Sequence, residues 1–377
     1  MRTRMALGSA RMSQPDGLGG EQRGMDDLGM YEHQENAHKA QPSQPQGLRP
    51  PAYQEACRAN GHSKPDGMPA LPDWSPSQHL ELMDKLNIRK SVLSISSPGT
   101  HLVAGNDELA AKVTRDCNSY AADLKQKTPD RFGYFASLPL PNVELCLKEI
   151  AQSAEEGCDG YVFLTNGHGH YLGDKLFDPI FDELNRRKAL IFIHPTTPMC
   201  PCSPEAQAQG EQPIKAAPFA GKYPNPMLEF FFDTARVVAN LFMSGTIKRC
   251  PDVRIILPHM GGAFPPLLSR FTGFSTLVPG PWDAIPEEDT REAFTKQIWF
   301  DLAGFPFPGQ IKGLMDGVGV DHSRIMYGSD FPFTKPPGVE MLLGKMDEGV
   351  KGMFSEEEIV GLYHGNAEKL LSMETVQ

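Results

Sequence analysis

The chain has 377 residues, 40% of them hydrophobic, and a formal net charge of −11. That is apolar material for one large core or two ordinary ones, and the acidic balance argues against a nucleic-acid partner, since no basic excess exists to neutralise phosphates. No apolar run approaches the roughly 18 residues of a membrane span, and the seven cysteines lack paired metal-finger spacing, so a cytoplasmic protein with reduced thiols and no membrane partner is expected.

Residues 1–49 are rich in Gln, Gly, Pro, Ser and Met without a period of 2 or 3.6, and read as a disordered low-complexity tail ahead of one domain over 50–377. Ser75 suits a helix N-cap, with apolar Leu80, Met83 and Leu86 following at threefold spacing. Short apolar runs and helical patterns then alternate: SVLSIS (91–96), a helix over 106–127, FGYFASL (132–138), a helix over 142–156, GYVFLT (160–165) and a helix over 176–187. LIFI (190–193), a helix over 226–248, VRIIL (253–257), a helix over 264–272, IWFDLA (298–303), a helix over 309–318 and RIMYG (324–328) continue the pattern. Helices over 337–347, 355–363 and 366–373 end it.

Such alternation means parallel βαβ units, and continuous apolar strands mean a sheet covered on both faces. A doubly wound nucleotide fold lacks its phosphate cradle here, because no G-x-G-x-x-G follows the first strand and no Walker loop is present. A (β/α)₈ TIM-type barrel fits better, with seven strands legible and the first missing or replaced.

Three strands end in residues of one chemical kind. His194 follows LIFI, His259 follows VRIILP, and Asp330 lies just past RIMYG. Singly, each is as well explained by a turn or cap. Together, imidazole and carboxylate at strand ends converge at a barrel mouth, where zinc or manganese accepts them. The H-x-H of NGHGHYLGD, His168 and His170, is either a metal pair or substrate loop, or a Gly-rich exposed loop at the barrel mouth. Arg270 either grips a substrate carboxylate bidentately or is a structural ion-pair partner.

The stretches PPAYQEACRANG, PDWSPSQHLELMDKLNI, SVLSISSPG, YLGDKLFDPIFDELNRRKALIFIHPTTP, NPMLEFFFDTARVVANLFMSG, RCPDVRIILPHMGGAFPPLLSRF and RIMYGSDFPF resemble the amidohydrolase-related decarboxylases. That group includes aminocarboxymuconate-semialdehyde, γ-resorcylate and fungal 6-methylsalicylate decarboxylases. The resemblance implies a metal-containing barrel, usually a homodimer, that releases CO₂ from a small aromatic or enoic carboxylic acid in aromatic catabolism or secondary metabolism. It implies metal ligation by His194 and Asp330, a divalent ion such as Zn²⁺ or Mn²⁺, acid/base work by His259 and Asp330, and substrate binding by Arg270, across the dimer interface in the muconate enzymes. Glu81 and Leu82 stand where those enzymes carry an arginine before Met83 and Asp84, which argues against the muconate substrate.

The family opens with a strand ending in His-x-His or Glu-x-His shortly before the Pro-Pro-x-Tyr matched by Pro50, Pro51 and Tyr53. Counting back, the ligand positions fall on Pro45 and Gly47, which offer no side-chain donor. Three readings follow: a mis-assigned first exon, a degenerate barrel that binds metal poorly, or replacement of the lost pair by His168 and His170 or by His38. Metal-assisted hydrolysis of a lactone or amide is the alternative chemistry for the same barrel.

Overall fold

The computed structural model describes residues 41–201, 211–282, 284–373 and 375. The tail expected over 1–49 falls largely outside the described residues, as does His38.

Eight parallel strands follow one another in sequence order: β1 Gln41–Gly47, β2 Ile88–Ser94, β3 Phe132–Ser137, β4 Gly160–Leu164, β5 Leu190–His194, β6 Arg254–Leu257, β7 Ile298–Asp301 and β8 Ile325–Met326. The seven expected strands are all present. Of the two expectations for the first strand, missing or replaced, the structure shows a replacement. Gln41–Gly47 pairs in parallel with β2, with Gln46 opposite Leu93 and Gly47 opposite Ser94. Leu48 and Arg49 are buried next to it, so the sheet begins ahead of the 49/50 boundary read from composition. QPSQPQG has no β-branched or aromatic residue, so tertiary pairing rather than propensity holds it extended. Its two prolines suit the sheet's edge.

Side chains along each strand alternate between two environments. Val92, Phe135, Val162, Phe192, Ile256, Trp299 and Met326 form one small cluster with Leu190, Ala367 and Leu370. Val162, Phe192, Ile256 and Trp299 stand in direct register across four strands. This is the packed interior of a barrel. The intervening residues, such as Leu93, Phe163, Ile191, Ile193, Leu257 and Phe300, belong to the larger core between sheet and helices. At the strand starts the barrel is closed by the C-terminal helix Asn366–Leu371, where Arg254 donates to the carbonyls of Lys188 (2.7 Å) and Leu370 (3.2 Å).

The covering helices start where the sequence says they should. Ser75 Oγ accepts from the Gln78 amide at 3.3 Å, and Asn106 and Asn142 cap Asp107–Lys127 and Val143–Glu155 in the same way. Helices Pro51–Ala59 and Glu287–Lys296 are additional to the expected set. No helix among the described residues is long and apolar enough to cross a membrane.

Candidate active site

Strand parity builds the site. Leu190 and Phe192 point into the barrel, so His194, two residues on, points the same way at its C-terminal rim. By the same count, Val92 leads to Ser94 and Ser96, Ile256 to Pro258, and Trp299 to Asp301 and Ala303. Just past β8, Asp330 and Phe333 complete the wall. His194, His259 and Asp330 therefore line one crevice, as expected, and the structure adds Asp301. The crevice has a volume of about 20 Å³, room for one water-sized group.

Each polar group in it is oriented. His194 Nδ1 lies 2.6 Å from the Pro195 carbonyl, which only accepts, so Nδ1 carries the hydrogen and Nε2 keeps the lone pair. Burial, and then the neighbouring His259, push the His194 imidazole down to about 3, so it is neutral at physiological pH. His259 Nδ1 donates to the Ala303 carbonyl at 3.2 Å, and its ring stacks on Phe231 with centroids 5.6 Å apart. Asp301 accepts from the backbone amides of His259 (2.8 Å) and Ala303 (3.1 Å) and so fixes the turn that presents the ring. That turn runs through φ of 51° at His259 and 61° at Gly262. A Cβ at Gly262 would stand 2.8 Å from the Phe231 carbonyl. Asp330 is held at φ of 57°. Burial raises the carboxyl pKa of both Asp330 and Asp301, and Asp301 adds like charge to Asp330 while His259 opposes the shift.

Beside this crevice lies a cavity of about 470 Å³, lined by Ile95, Leu138, Leu140, Val162 and Leu164 with Asn166, His168 and Thr196 among its polar groups. Its volume is that of a small-molecule site. His168 belongs to this cavity and not to the crevice, and His170 lies apart, 4.0 Å from Asp174. Neither replaces the lost ligand pair. Arg270 is exposed on helix Leu268–Leu277 with its guanidinium 4.6 Å from the Phe274 ring; within one chain it does not reach the crevice.

A divalent metal finds an incomplete donor set. Gly47 lies in the ladder opposite Ser94, at the crevice layer, and provides no side chain; Pro45 provides no donor. Among the described residues no three His, Cys, Asp or Glu side chains form a metal-holding set. A cation is already present: fully buried Arg49 donates to Ser96 Oγ at 2.9 Å and lies 4.3 Å from the Phe333 ring, both crevice residues. Its Nε and Nη1 are buried and have no hydrogen-bond partner among the described residues. The residues present do not fit the group.

The amidohydrolase family model matches residues 59–373. The chain belongs to the amidohydrolase family. Among its relatives, decarboxylase yanB of Aspergillus niger is 37% identical over 294 residues, covering 76% of this chain and 75% of that protein. The 6-methylsalicylic acid decarboxylase acuB of Aspergillus aculeatus is 32% identical, covering 75% and 81%. Of solved structures, an amidohydrolase II from structural genomics superposes with a TM-score of 0.76 at 26% identity, over 88% of this chain and all of that one. The 5-carboxyvanillate decarboxylase of Novosphingobium aromaticivorans, solved with manganese and a nitrobenzoic acid, shares the fold at a TM-score of 0.70 and 22% identity, over 89% of this chain and 97% of that one. The family's C-terminal barrel rim, where active sites sit, is where the crevice lies.

Sequence reasoning missed Asp301, Arg49 and His101. Asp301 carried the same signal as the others, an acid directly after the apolar run IWF. Arg49 and His101 carried none, because the contacts that place them, Arg49 with Ser96 and His101 with His168, join residues distant in sequence.

Proposed function

We propose that this chain is a carboxy-lyase that releases CO₂ from a single-ring aromatic carboxylic acid of the salicylate type. Its relatives of 31–37% identity are decarboxylases, two of them named for 6-methylsalicylic acid. The observation that carries the reading is a half-buried carboxyl, Asp330, whose surroundings raise its pKa, in the same crevice as His259 and beside a cavity large enough for one ring.

In this reading Asp330 in its acid form gives its proton to the ring carbon that bears the carboxylate. The C–C bond then breaks, its electron pair returns to the ring, and CO₂ leaves. The Asp330 carboxylate regains a proton from water through His259, whose Nδ1–H is engaged by Ala303 and whose Nε2 is therefore the proton-carrying atom. His194, neutral and fixed by Pro195, presents its own lone pair to the crevice. The zinc or manganese implied by the resemblance retains only His194 and Asp330 as matched ligands, and no step here runs through it. Arg270 reaches a carboxylate only in a homodimer, which is the assembly we propose.

The test is CO₂ release from a panel of salicylate-type acids, run with and without added Zn²⁺ and Mn²⁺. Release from at least one hydroxylated benzoic acid is expected. No release from any of them, with or without metal, overturns the proposal. The loss of donors at Pro45 and Gly47 favours a second reading, a catalytically silent barrel that still binds aromatic acids; binding without turnover on the same panel would establish it.

A further inference from the structure

A polar chain that the proposed chemistry does not use runs into the wall of the large cavity, which its His101 and His168 line, from Asp107 and Asn142 behind them. Asp107, at the start of helix Asp107–Lys127, accepts from His101 Nε2 at 3.0 Å. Donation by His101 and by Asn142 (2.7 Å) holds the Asp107 carboxyl below its ordinary range, so it is an ionised acceptor. His101 is thereby tied through Nε2–H, which leaves its Nδ1 as an acceptor. His168 Nε2 lies 2.9 Å from that nitrogen and 3.0 Å from the His101 carbonyl. A carbonyl only accepts, so the hydrogen of His168 is on Nε2. Burial keeps this imidazole neutral, with its pKa pushed down to about 4. Neutral and hydrogen-bearing at Nε2, His168 must carry a lone pair at Nδ1, and no donor among the described residues faces it.

The ring is also firmly placed. His168 sits at the tip of a two-residue hairpin pairing Asn166–Gly167 with His170–Tyr171, at φ of 49°. Such backbone strain persists only where surroundings over-determine it. Here Thr165 and Tyr171 both donate to fully buried Asp233, Asn166 Oδ1 accepts from the Gly169 amide at 3.1 Å, and a Cβ at Gly169 would stand 2.5 Å from the Pro201 nitrogen.

We propose that His168 is a specificity-determining residue whose Nδ1 accepts a hydrogen bond from a phenolic hydroxyl of the substrate, with His101 and Asp107 as positioning residues that fix its tautomer. The substrate class is a hydroxylated aromatic acid, a refinement that rests on the decarboxylase reading. A carboxylate brings no hydrogen and meets lone pair with lone pair, so this position selects against it. A methyl group there leaves the acceptor unpaired in a cavity rich in apolar side chains. The polar end of His168 thus sets which way round the ring enters.

Isothermal titration with benzoate and its 2-, 3- and 4-hydroxy isomers tests the assignment on the full chain. At least one isomer should bind on the order of tenfold tighter than benzoate, about the effect of one hydrogen bond. His168→Phe should abolish that advantage while leaving benzoate affinity within about twofold, a change too small to count as a lost hydrogen bond. His168→Asn, whose residue type tolerates the left-handed backbone, keeps the test alive should the Phe variant fail to fold; it should lose most of the same preference. Equal weakening of benzoate and the hydroxybenzoates in either variant, or no hydroxyl preference in the parent, overturns the assignment. CO₂ release is read separately. A hydroxyl preference lost with His168 but no turnover removes the decarboxylase reading and leaves the binding role standing.

Discussion

His79 makes the barrel acid-sensitive by an amount that can be worked out. Its ring is fully buried; Nδ1 accepts from the Trp74 indole at 3.0 Å, and Nε2 lies 3.2 Å from Ser91 Oγ on β2. An indole N–H only donates, so the ring is neutral with its hydrogen on Nε2. Burial lowers its pKa from 6.5 to about 3. A folded pKa below the unfolded one means that the unfolded chain takes up the proton first as pH falls. The contribution is therefore complete above the unfolded value of 6.5 and is lost on descending toward 3. Over that window the slope is about 1.4 kcal/mol per pH unit. At about pH 4.5 the loss from this one group is about 3 kcal/mol, a large share of a typical total stability. His79→Asn supplies an acceptor for Trp74 without a titrating group. Urea unfolding of both proteins at about pH 7 and about pH 4.5 isolates the effect, because the His168 contribution is common to both. The parent should lose about 3 kcal/mol more than the variant between the two conditions. Parallel losses would show that His79 is not held neutral by its surroundings.

Asp330→Asn keeps a residue that tolerates positive φ and removes the acid; CO₂ release should fall by about 10²-fold or more with near-UV circular dichroism unchanged. His259→Asn should also cost on the order of 10²-fold in kcat, and an unchanged kcat would take His259 out of the chemistry. Elemental analysis of the purified chain should give well under one zinc or manganese per chain, as the donor set requires; a full equivalent would refute that count. Gly262→Ala forces a Cβ against the Phe231 carbonyl at positive φ and should lower the urea midpoint by the equivalent of about 1–3 kcal/mol.

What the sequence reveals here depends on whether a partner is local. His194, His259 and Asp330 were legible because each ends or closely follows an apolar strand, and parallel strands in a barrel bring such ends to one rim. Asp301 is equally legible in IWFDLA, as an acid directly after the apolar run IWF. The first strand was not legible, because QPSQPQG has none of the residues that favour extended pairing and is held by its neighbour Ile88–Ser94. Nor was the tautomer of His168 readable, since it depends on His101, 67 residues away. The short H-x-H spacing is equally compatible with a ligand pair and with an exposed loop, and only the hairpin shows His168 directed toward His101 and His170 toward Asp174.

The apolar plug of Val92, Phe135, Val162, Phe192, Ile256, Trp299 and Met326, with Leu370 below it, fills the barrel interior beneath the rim crevice. In the proposed chemistry, acid, product, carbon dioxide and the replacement proton therefore share the rim, and the ring that has lost its carboxyl group has to vacate the mouth before fresh solvent can recharge Asp330 for the next molecule.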